Sequence, residues 1–420
     1  MGQTLAQKLI ARAAGRKSVT PGEIVTCKVD LAMMHDSSGP RRVKPTLDRL
    51  GAKPWDPDKV VIITDHFIPP SDDQTAAIQT LTREWVKENG VNAFYDMQGI
   101  CHVVLPEAGH LKPGMFVVGA DSHSTTGGAF GCFMFGIGAT DMAGVLVTGE
   151  TWVRVPESIR YEWTGALQPG VCAKDIMLAL CARFGLGGAD YRVVEFTGSL
   201  IDRLDMRERM TLCNMAAELG AQTGLIAPDE TTLQWIRDAG GGEAEHEPWH
   251  ADPDALYSEN HQFDAGTLEP QIAAPHSPEN AAPAREHEGV RIDQAYIGAC
   301  TGAKLTDLQM AAKVLAGKKV ARGTRLLVAP ASRRDTALAV ADGTLSALLD
   351  AGAVMLPSGC GACAGYGGGV LGEGEVCIAS TSRNFQGRMG ARSSQVWLGS
   401  PYAVAAAAVA GEIRDPREFI

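Results

Sequence analysis

Along the 420-residue chain, short apolar runs alternate with stretches in which apolar residues recur every three or four positions. This is the pattern of parallel α/β layers. Strands buried on both faces read as continuous hydrophobic runs, and the helices between them read as amphipathic. Five runs predict strands: Val60–Thr64, Met115–Gly119, Ala295–Ile297, Val354–Leu356 and Val376–Ala379. Each runs directly into polar residues with chemical potential. In chain order these are Asp65 and His66, then Asp121, Ser122 and His123, then Cys300, then Cys360 and Cys363, then Arg383 and Arg388. Ligands of open α/β sheets bind at the carboxyl ends of strands, and ordinary loops rarely deliver His, Cys and Arg at five such ends.

Two further segments have a reading of their own. The N-terminal fifteen residues predict an amphipathic helix with Leu5, Leu9, Ile10 and Ala13 on one face. Residues 243–288 are rich in Pro, Glu, His and Ala and lack apolar periodicity. They predict a long irregular connection between N-terminal α/β lobes (1–285) and a C-terminal α/β lobe (286–420).

Composition narrows the function classes. A 45% hydrophobic content over this length supports a large core and two or three domains. The net charge of −11, with no long basic run, argues against nucleic acid and anionic membrane surfaces as partners. Ala403–Ala410, the longest bland apolar stretch, is far shorter than the roughly 20 residues of a membrane span. The start of the chain is too polar for a secretory signal. Ten cysteines without an export signal imply a reducing compartment, with the cytoplasm as the expected location. There is no Walker A pattern, and the glycine clusters near 127–138 and 367–374 are not a dinucleotide fingerprint.

Cys360 and Cys363 form a C-x₂-C pair, which zinc knuckles and redox dithiols share. A structural zinc site needs four ligands, and no second pair of that kind exists. With Cys300 the candidates number three, a thin set for zinc but a good one for a [4Fe–4S] cluster. Such a cluster usually takes four thiolates; with three, one iron stays open to act as a Lewis acid. The other seven cysteines lie mostly in apolar contexts and read as small buried hydrophobes.

Four of the ten histidines sit beside or near carboxylates in the N-terminal half: His35 next to Asp36, His66 next to Asp65, His102, and His123 close to Asp121. A neighbouring carboxylate orients an imidazole and raises its pKa, as a general acid requires. A lone histidine is more often structural, but four around strand ends shift that balance. His110 reads as a surface loop residue, and His246, His250, His261, His276 and His287 receive no role. Arg383 and Arg388, five positions apart around a glycine, can converge on carboxylates. Together the parts describe dehydration or hydration of a hydroxy di- or tricarboxylic acid.

From near its start to its end the chain resembles the aconitase superfamily, closest to the large subunits of 3-isopropylmalate dehydratase and homoaconitase. The segments that carry the resemblance are VDLAMMHD, ITDHFIPP, FVVGADSHSTTGGAFGCFMFGIGATD, TLCNMAAELGAQTG, LEPQIAAPHSPEN, IGACTGAKLTDL, SGCGACAG and RNFQGRMG. The resemblance implies a three-lobed α/β/α architecture around a [4Fe–4S] site, without the swivelling fourth domain of full-length aconitases. It implies that Cys300, Cys360 and Cys363 ligate the cluster and leave one iron unbound by cysteine. It pairs Asp65 with His66, Asp121 with His102 and Glu218 with His123. His35, Asp36 and Ser122 match positions lining the pocket, Asn214 an amide at the cluster, and Arg383 and Arg388 substrate-binding arginines.

The chain departs from the family pattern at Gly302, where an asparagine is common, at Ser382, where another is common, and at Ala362, where proline is common. The fourth domain is expected to be a separate small subunit that supplies the serine base and a further arginine. The implied reaction interconverts 2- and 3-hydroxy acids through a cis-unsaturated acid. 3-Isopropylmalate, and so leucine biosynthesis, is the first choice of substrate; homoaconitate, citraconate and dimethylmaleate compete with it. Two readings of another class are an RNA-binding regulator and a zinc-stabilised module without catalysis.

Overall fold

The computed structural model describes residues 2–420. It contains three parallel or largely parallel sheets, one per lobe, flanked by helices. The first is five-stranded, in the order Ala93–Tyr95, Val60–Ile63, Leu31–His35, Phe116–Gly119, Phe133–Gly136, and every pairing is parallel. Alternation along its strands sends Met33, Val61, Ile63 and Val117 to one apolar cluster. It sends Ala32, Met34, Val60, Ile62, Phe116 and Val118 to another. Both faces are therefore dry, which is why these strands read as unbroken apolar runs.

The second sheet is four-stranded and parallel, in the order Thr223–Leu225, Val193–Thr197, Ser158–Thr164, Glu259–Asp264. The third has seven strands. Five parallel ones, Gln395–Gly399, Val376–Ala379, Gln294–Ile297, Arg325–Val328 and Val354–Met355, are extended at one edge by the antiparallel pair Gln271–Ala273 and Ala281–Pro283. A small antiparallel ribbon joins Ile24–Lys28 to Glu150–Arg154.

All five runs expected as strands contain one, and Leu31–His35 adds a sixth chemistry-bearing strand end. The N-terminal helix runs Leu5–Ala13, with Leu5, Leu9, Ile10 and Ala13 buried and a capping box between Thr4 and Gln7. The expectation for residues 243–288 needs correction. Glu259–Asp264 is the edge strand of the second sheet, and Gln271–Ala273 and Ala281–Pro283 form a hairpin in the third. The sheet of the C-terminal lobe thus begins at Gln271, ahead of 286. Edge strands are half solvated, and Glu259–Asp264 carries one apolar residue, Phe263, so no period-2 signal marks it. The apolar stretch near the end is the helix Pro401–Ala410, whose Ala403–Ala408 are fully buried. Among the described residues no helix is long and apolar enough to cross a membrane.

Candidate active site

The carboxyl ends of the first and third sheets, with one helix end from the second lobe, meet around a single group of polar side chains. The strand Leu31–His35 ends on His35, and Val60–Ile63 leads through Thr64 into Asp65 and His66. Phe116–Gly119 leads to Asp121, which accepts from the His123 amide at 2.7 Å and so starts the 3₁₀ turn Ser122–Phe130. Asn214 comes from the last turn of the helix Met206–Met215, and Glu218 from the 3₁₀ turn that follows it. Cys300 follows Gln294–Ile297, while Cys360 immediately precedes the turn Gly361–Ala364 and Cys363 lies within it.

Three acid–histidine pairs are formed. His66 Nδ1 lies 2.6 Å from Asp65 Oδ1, His102 Nε2 2.8 Å from Asp121 Oδ1, and His123 Nε2 3.0 Å from Glu218 Oε1. His35 stacks on His66 with ring centroids 4.2 Å apart, and its Nε2 is 3.9 Å from Asp121 Oδ2. Arg383 Nε donates to Glu218 Oε1 at 2.6 Å, so Glu218 joins a histidine to a guanidinium whose terminal nitrogens have no hydrogen-bond partner among the described residues.

The charges in these pairs are settled by their neighbours. Burial opposes ionisation of Asp65, but the charges of His66 and His35 and the His66 hydrogen bond hold it below the usual carboxylate range. Burial likewise disfavours a charged His66, yet Asp65, with help from Asp36 and Asp121, lifts it to about 9. Asp121 is held low against its own burial by His102, His123 and His35. His123 moves the other way: burial lowers it and Arg383 adds to the fall, only partly offset by Glu218. His66 is therefore protonated at neutral pH, while the surroundings of His123 favour its neutral form.

The cysteine loops face these pairs. Asn214 Nδ2 donates to Cys300 Sγ at 3.2 Å, and Cys360 Sγ lies 3.8 Å from Asp65 Oδ2. Burial pushes the Cys300 thiol up to about 12, with Cys363 adding to the rise. Burial, then Asp65 and the other two thiols, raise Cys360 as well. Such thiols give up protons only to a metal.

The residues fit a cluster better than a single ion. The groups with ligand atoms all within 4.8 Å of one another are His35, Asp36, Asp65 and His66, and His102, Asp121 and His123. The three cysteine sulfurs are not such a group, so they are set wider than the ligands of one zinc. Around them the buried Asn214 Oδ1, Glu218 Oε2, His35 Nε2, His102 Nδ1 and the Tyr296 hydroxyl find no partner among the described residues. Orphans this numerous belong to a site that binds a polar group.

Four other expected residues have surroundings of their own. Asp36, expected to line the pocket, is fully buried, and its carboxylate lies in the group with His35, Asp65 and His66. It accepts from the His66 amide at 3.1 Å, the Phe67 amide at 2.9 Å and Gln79 Nε2 at 2.7 Å, and so shapes the turn that carries His66. Ser122 is exposed, and among the described residues no side-chain hydrogen bond fixes it. Arg388 is half-buried with no ion-pair partner among the described residues, and its carbonyl packs against Gly365. His110 is in a loop but bonded, with Nε2 2.7 Å from the Tyr95 hydroxyl.

Two residues without an expected role belong to the network. Ser382 Oγ is 3.2 Å from His123 Nε2, and Thr126 Oγ1 accepts from Asn214 Nδ2 at 2.8 Å. Ser382 was legible only as a departure beside Arg383, and nothing local marks Thr126.

Residues 7–411 match the family model described as Aconitase family (aconitate hydratase). The chain is 46% identical to "3-isopropylmalate dehydratase large subunit 1" of Methanopyrus kandleri, over 100% of both chains. It is 45% identical to the "Probable methanogen homoaconitase large subunit" of Methanothermobacter thermautotrophicus, over 99% of this chain and 97% of that one. Among solved structures, holo aconitase X of Thermococcus kodakaraensis shares the fold, with a TM-score of 0.53 and 15% identity over 86% of this chain and 84% of that one. On the matched span and these identities, the chain belongs to the aconitase family.

Proposed function

We propose that this chain is the cluster-bearing subunit of a hydro-lyase that moves a hydroxyl between adjacent carbons of a substituted malate, with 3-isopropylmalate as first substrate and leucine biosynthesis as its setting. The observation that carries the reading is the chain Arg383–Glu218–His123, which sets a carboxylate-binding cation and two acid–histidine pairs against the three cysteine loops. Relatives named for 3-isopropylmalate dehydratase and for homoaconitase support the reaction class equally.

Cys300, Cys360 and Cys363 would hold a [4Fe–4S] cluster with one iron free of cysteine, and Asn214 would hydrogen-bond its Cys300 sulfur. When bound, that cluster supplies a Lewis acid for a hydroxyl and a carboxylate oxygen. The rest is the work of side chains. Arg383, its Nε fixed by Glu218, binds a substrate carboxylate through its terminal nitrogens. His66, kept protonated by Asp65, donates the proton that leaves with the hydroxyl as water. His102 on Asp121 and His123 on Glu218 orient the remaining polar groups, and Asp36 holds the His66 turn in place. The base that takes the carbon-bound proton is assigned to a separate small subunit closing over this face, and the assembly to the cytoplasm.

The test is a hydration assay on anaerobically reconstituted protein co-expressed with that small subunit. Loss of enoate absorbance with isopropylmaleate, and little with citraconate, dimethylmaleate, cis-aconitate or homoaconitate, supports the assignment. Turnover of another member moves the substrate within the class. No turnover of any member by a cluster-loaded complex rejects the substituted-malate reading.

A further inference from the structure

Lys174 has no place in the network above, yet it lies directly behind it. It is the second residue of the helix Ala173–Phe184 and is 1% exposed. Its ammonium Nζ donates to Thr301 Oγ1 at 3.3 Å, to the Ser380 carbonyl at 3.0 Å and to the Thr381 carbonyl. None of these acceptors is charged, and among the described residues no carboxylate lies within ion-pair distance of Nζ. Asp175, its neighbour, is turned away and accepts from the backbone amides of Cys172 and Gln271. The other buried lysine of this region, Lys304, differs: it pairs with Asp307 at 2.7 Å and carries no net charge into the site.

A buried ammonium without a counter-ion is costly and persists where a negative charge repays it. The ionisable groups whose charges favour the Lys174 ammonium most are Glu218, Cys363, Cys300 and Cys172, with Asp175 and Cys181 also nearby. Glu218 is already matched by Arg383, which leaves the cysteine side of the site. The contacts of Lys174 point the same way. Thr301 follows Cys300 directly, and Ser380 and Thr381 directly precede Ser382 and Arg383. One ammonium therefore ties a sulfur-bearing loop to the strand end that presents the carboxylate-binding cation.

We propose that Lys174 is a positioning residue and the fixed counter-charge of the iron–sulfur site: its buried ammonium holds the Cys300 and Ser382–Arg383 loops in register and offsets the negative charge of the thiolate-bound cluster. The proposal rests on the cluster reading above. Positive charge held close in a low-dielectric interior favours the more negative, reduced state of a cluster. It also gives Lys174 opposite effects with and without metal. In the apoprotein the unpaired ammonium is a liability, and with the cluster bound it stabilises.

The experiment compares wild type, K174Q, K174M and K174R as full chains, each as apoprotein and after anaerobic reconstitution with iron and sulfide. Metal and sulfide content come first; a wild type that binds neither refutes the cluster reading itself. Thermal unfolding and a redox titration of the cluster followed by electron paramagnetic resonance come next. The expected result is apo K174Q and K174M melting no lower than wild type, and a reduction midpoint shifted to more negative potential in the loaded variants, with K174R close to wild type. Cluster loss from folded K174Q and K174M, with retention in K174R, also supports the proposal. Apo K174Q and K174M that are destabilised or unfolded, or a wild-type midpoint in their loaded forms, overturns it and leaves Lys174 as a structural brace.

Discussion

Ser380 occupies the space that a side chain at Gly302 would need: a β-carbon there would lie 2.2 Å from Ser380 Oγ and 2.3 Å from Ser380 Cβ. The hydroxyl is fixed, accepting from the Gly298 amide at 3.0 Å and lying 3.1 Å from the Gly302 carbonyl oxygen. The glycine two residues after Cys300 is thus a packing requirement of the strand end that leads to Arg383, and no amide reaches toward the cysteines from this position. Replacing Gly302 by Asn or Ala is expected to destabilise the protein by about 1–3 kcal/mol through overpacking and to lower iron content. Adding Ser380→Gly should recover part of both losses, as thermal unfolding and iron analysis would show.

The Asp65–His66 pair sets a pH limb. His66 titrates at about 9 in the folded protein against an ordinary 6.5, so it stays protonated through neutral pH. Activity that needs its proton is expected to fall as pH rises through about 9. The stability its charged pair contributes is complete below 6.5 and is lost across the same rise. Asp65→Asn should move the limb toward 6.5, and His66→Ala should cost roughly 10²–10⁴-fold in kcat. A pH–rate profile of the two variants checks both.

Arg383 presents a planar fork whose Nε is already held by Glu218. Lysine cannot keep that bond and also grip a carboxylate with two parallel donors. Arg383→Lys is expected to lower kcat/KM by about 10–100-fold, the loss of one charge-assisted hydrogen bond of roughly 1.5–3 kcal/mol. The loaded cluster should keep its absorption spectrum. Steady-state kinetics beside that spectrum separates loss of substrate grip from loss of cofactor.

At the junction of the first and third lobes, Glu107 accepts from the Ser332 hydroxyl at 2.9 Å, close to Asp335. Burial first, and then the charge of Asp335, raise Glu107 to about 8 from an ordinary 4.5. An acid raised on folding stabilises while protonated, so its contribution is full below 4.5 and fades as pH climbs through about 8. Glu107→Gln is expected to flatten the pH dependence of the melting temperature over that window and to leave the protein more stable than wild type above pH 8.

What could be read in the sequence divides along physical lines. Strands such as Val60–Ile63 and Phe116–Gly119 are buried on both faces and announce themselves as apolar runs, and the residues that follow them are among those the structure gathers at the candidate site. The pairing of His102 with Asp121 and of His123 with Glu218 required the family resemblance, because the second pair spans 95 positions. Glu259–Asp264 was hidden by its half-solvated edge. Asp36 lies in the group with His35, Asp65 and His66, but its bonds to the His66 and Phe67 amides and to Gln79 leave no mark in the sequence. Lys174 is barely legible in the sequence because its partners lie 127 to 207 positions away. Its only local trace is a Lys-Asp pair inside the apolar stretch Val171–Leu180.

The central claim is that three cysteines hold a four-iron cluster with one iron open to a hydroxy acid. Mössbauer spectroscopy of protein reconstituted with ⁵⁷Fe, recorded with and without 3-isopropylmalate, tests it most directly. The account predicts about four irons and four sulfides per chain, with one iron in four distinct from the rest and changed by the substrate. Four irons indifferent to the substrate, or a chain that takes up zinc and no sulfide, would contradict it.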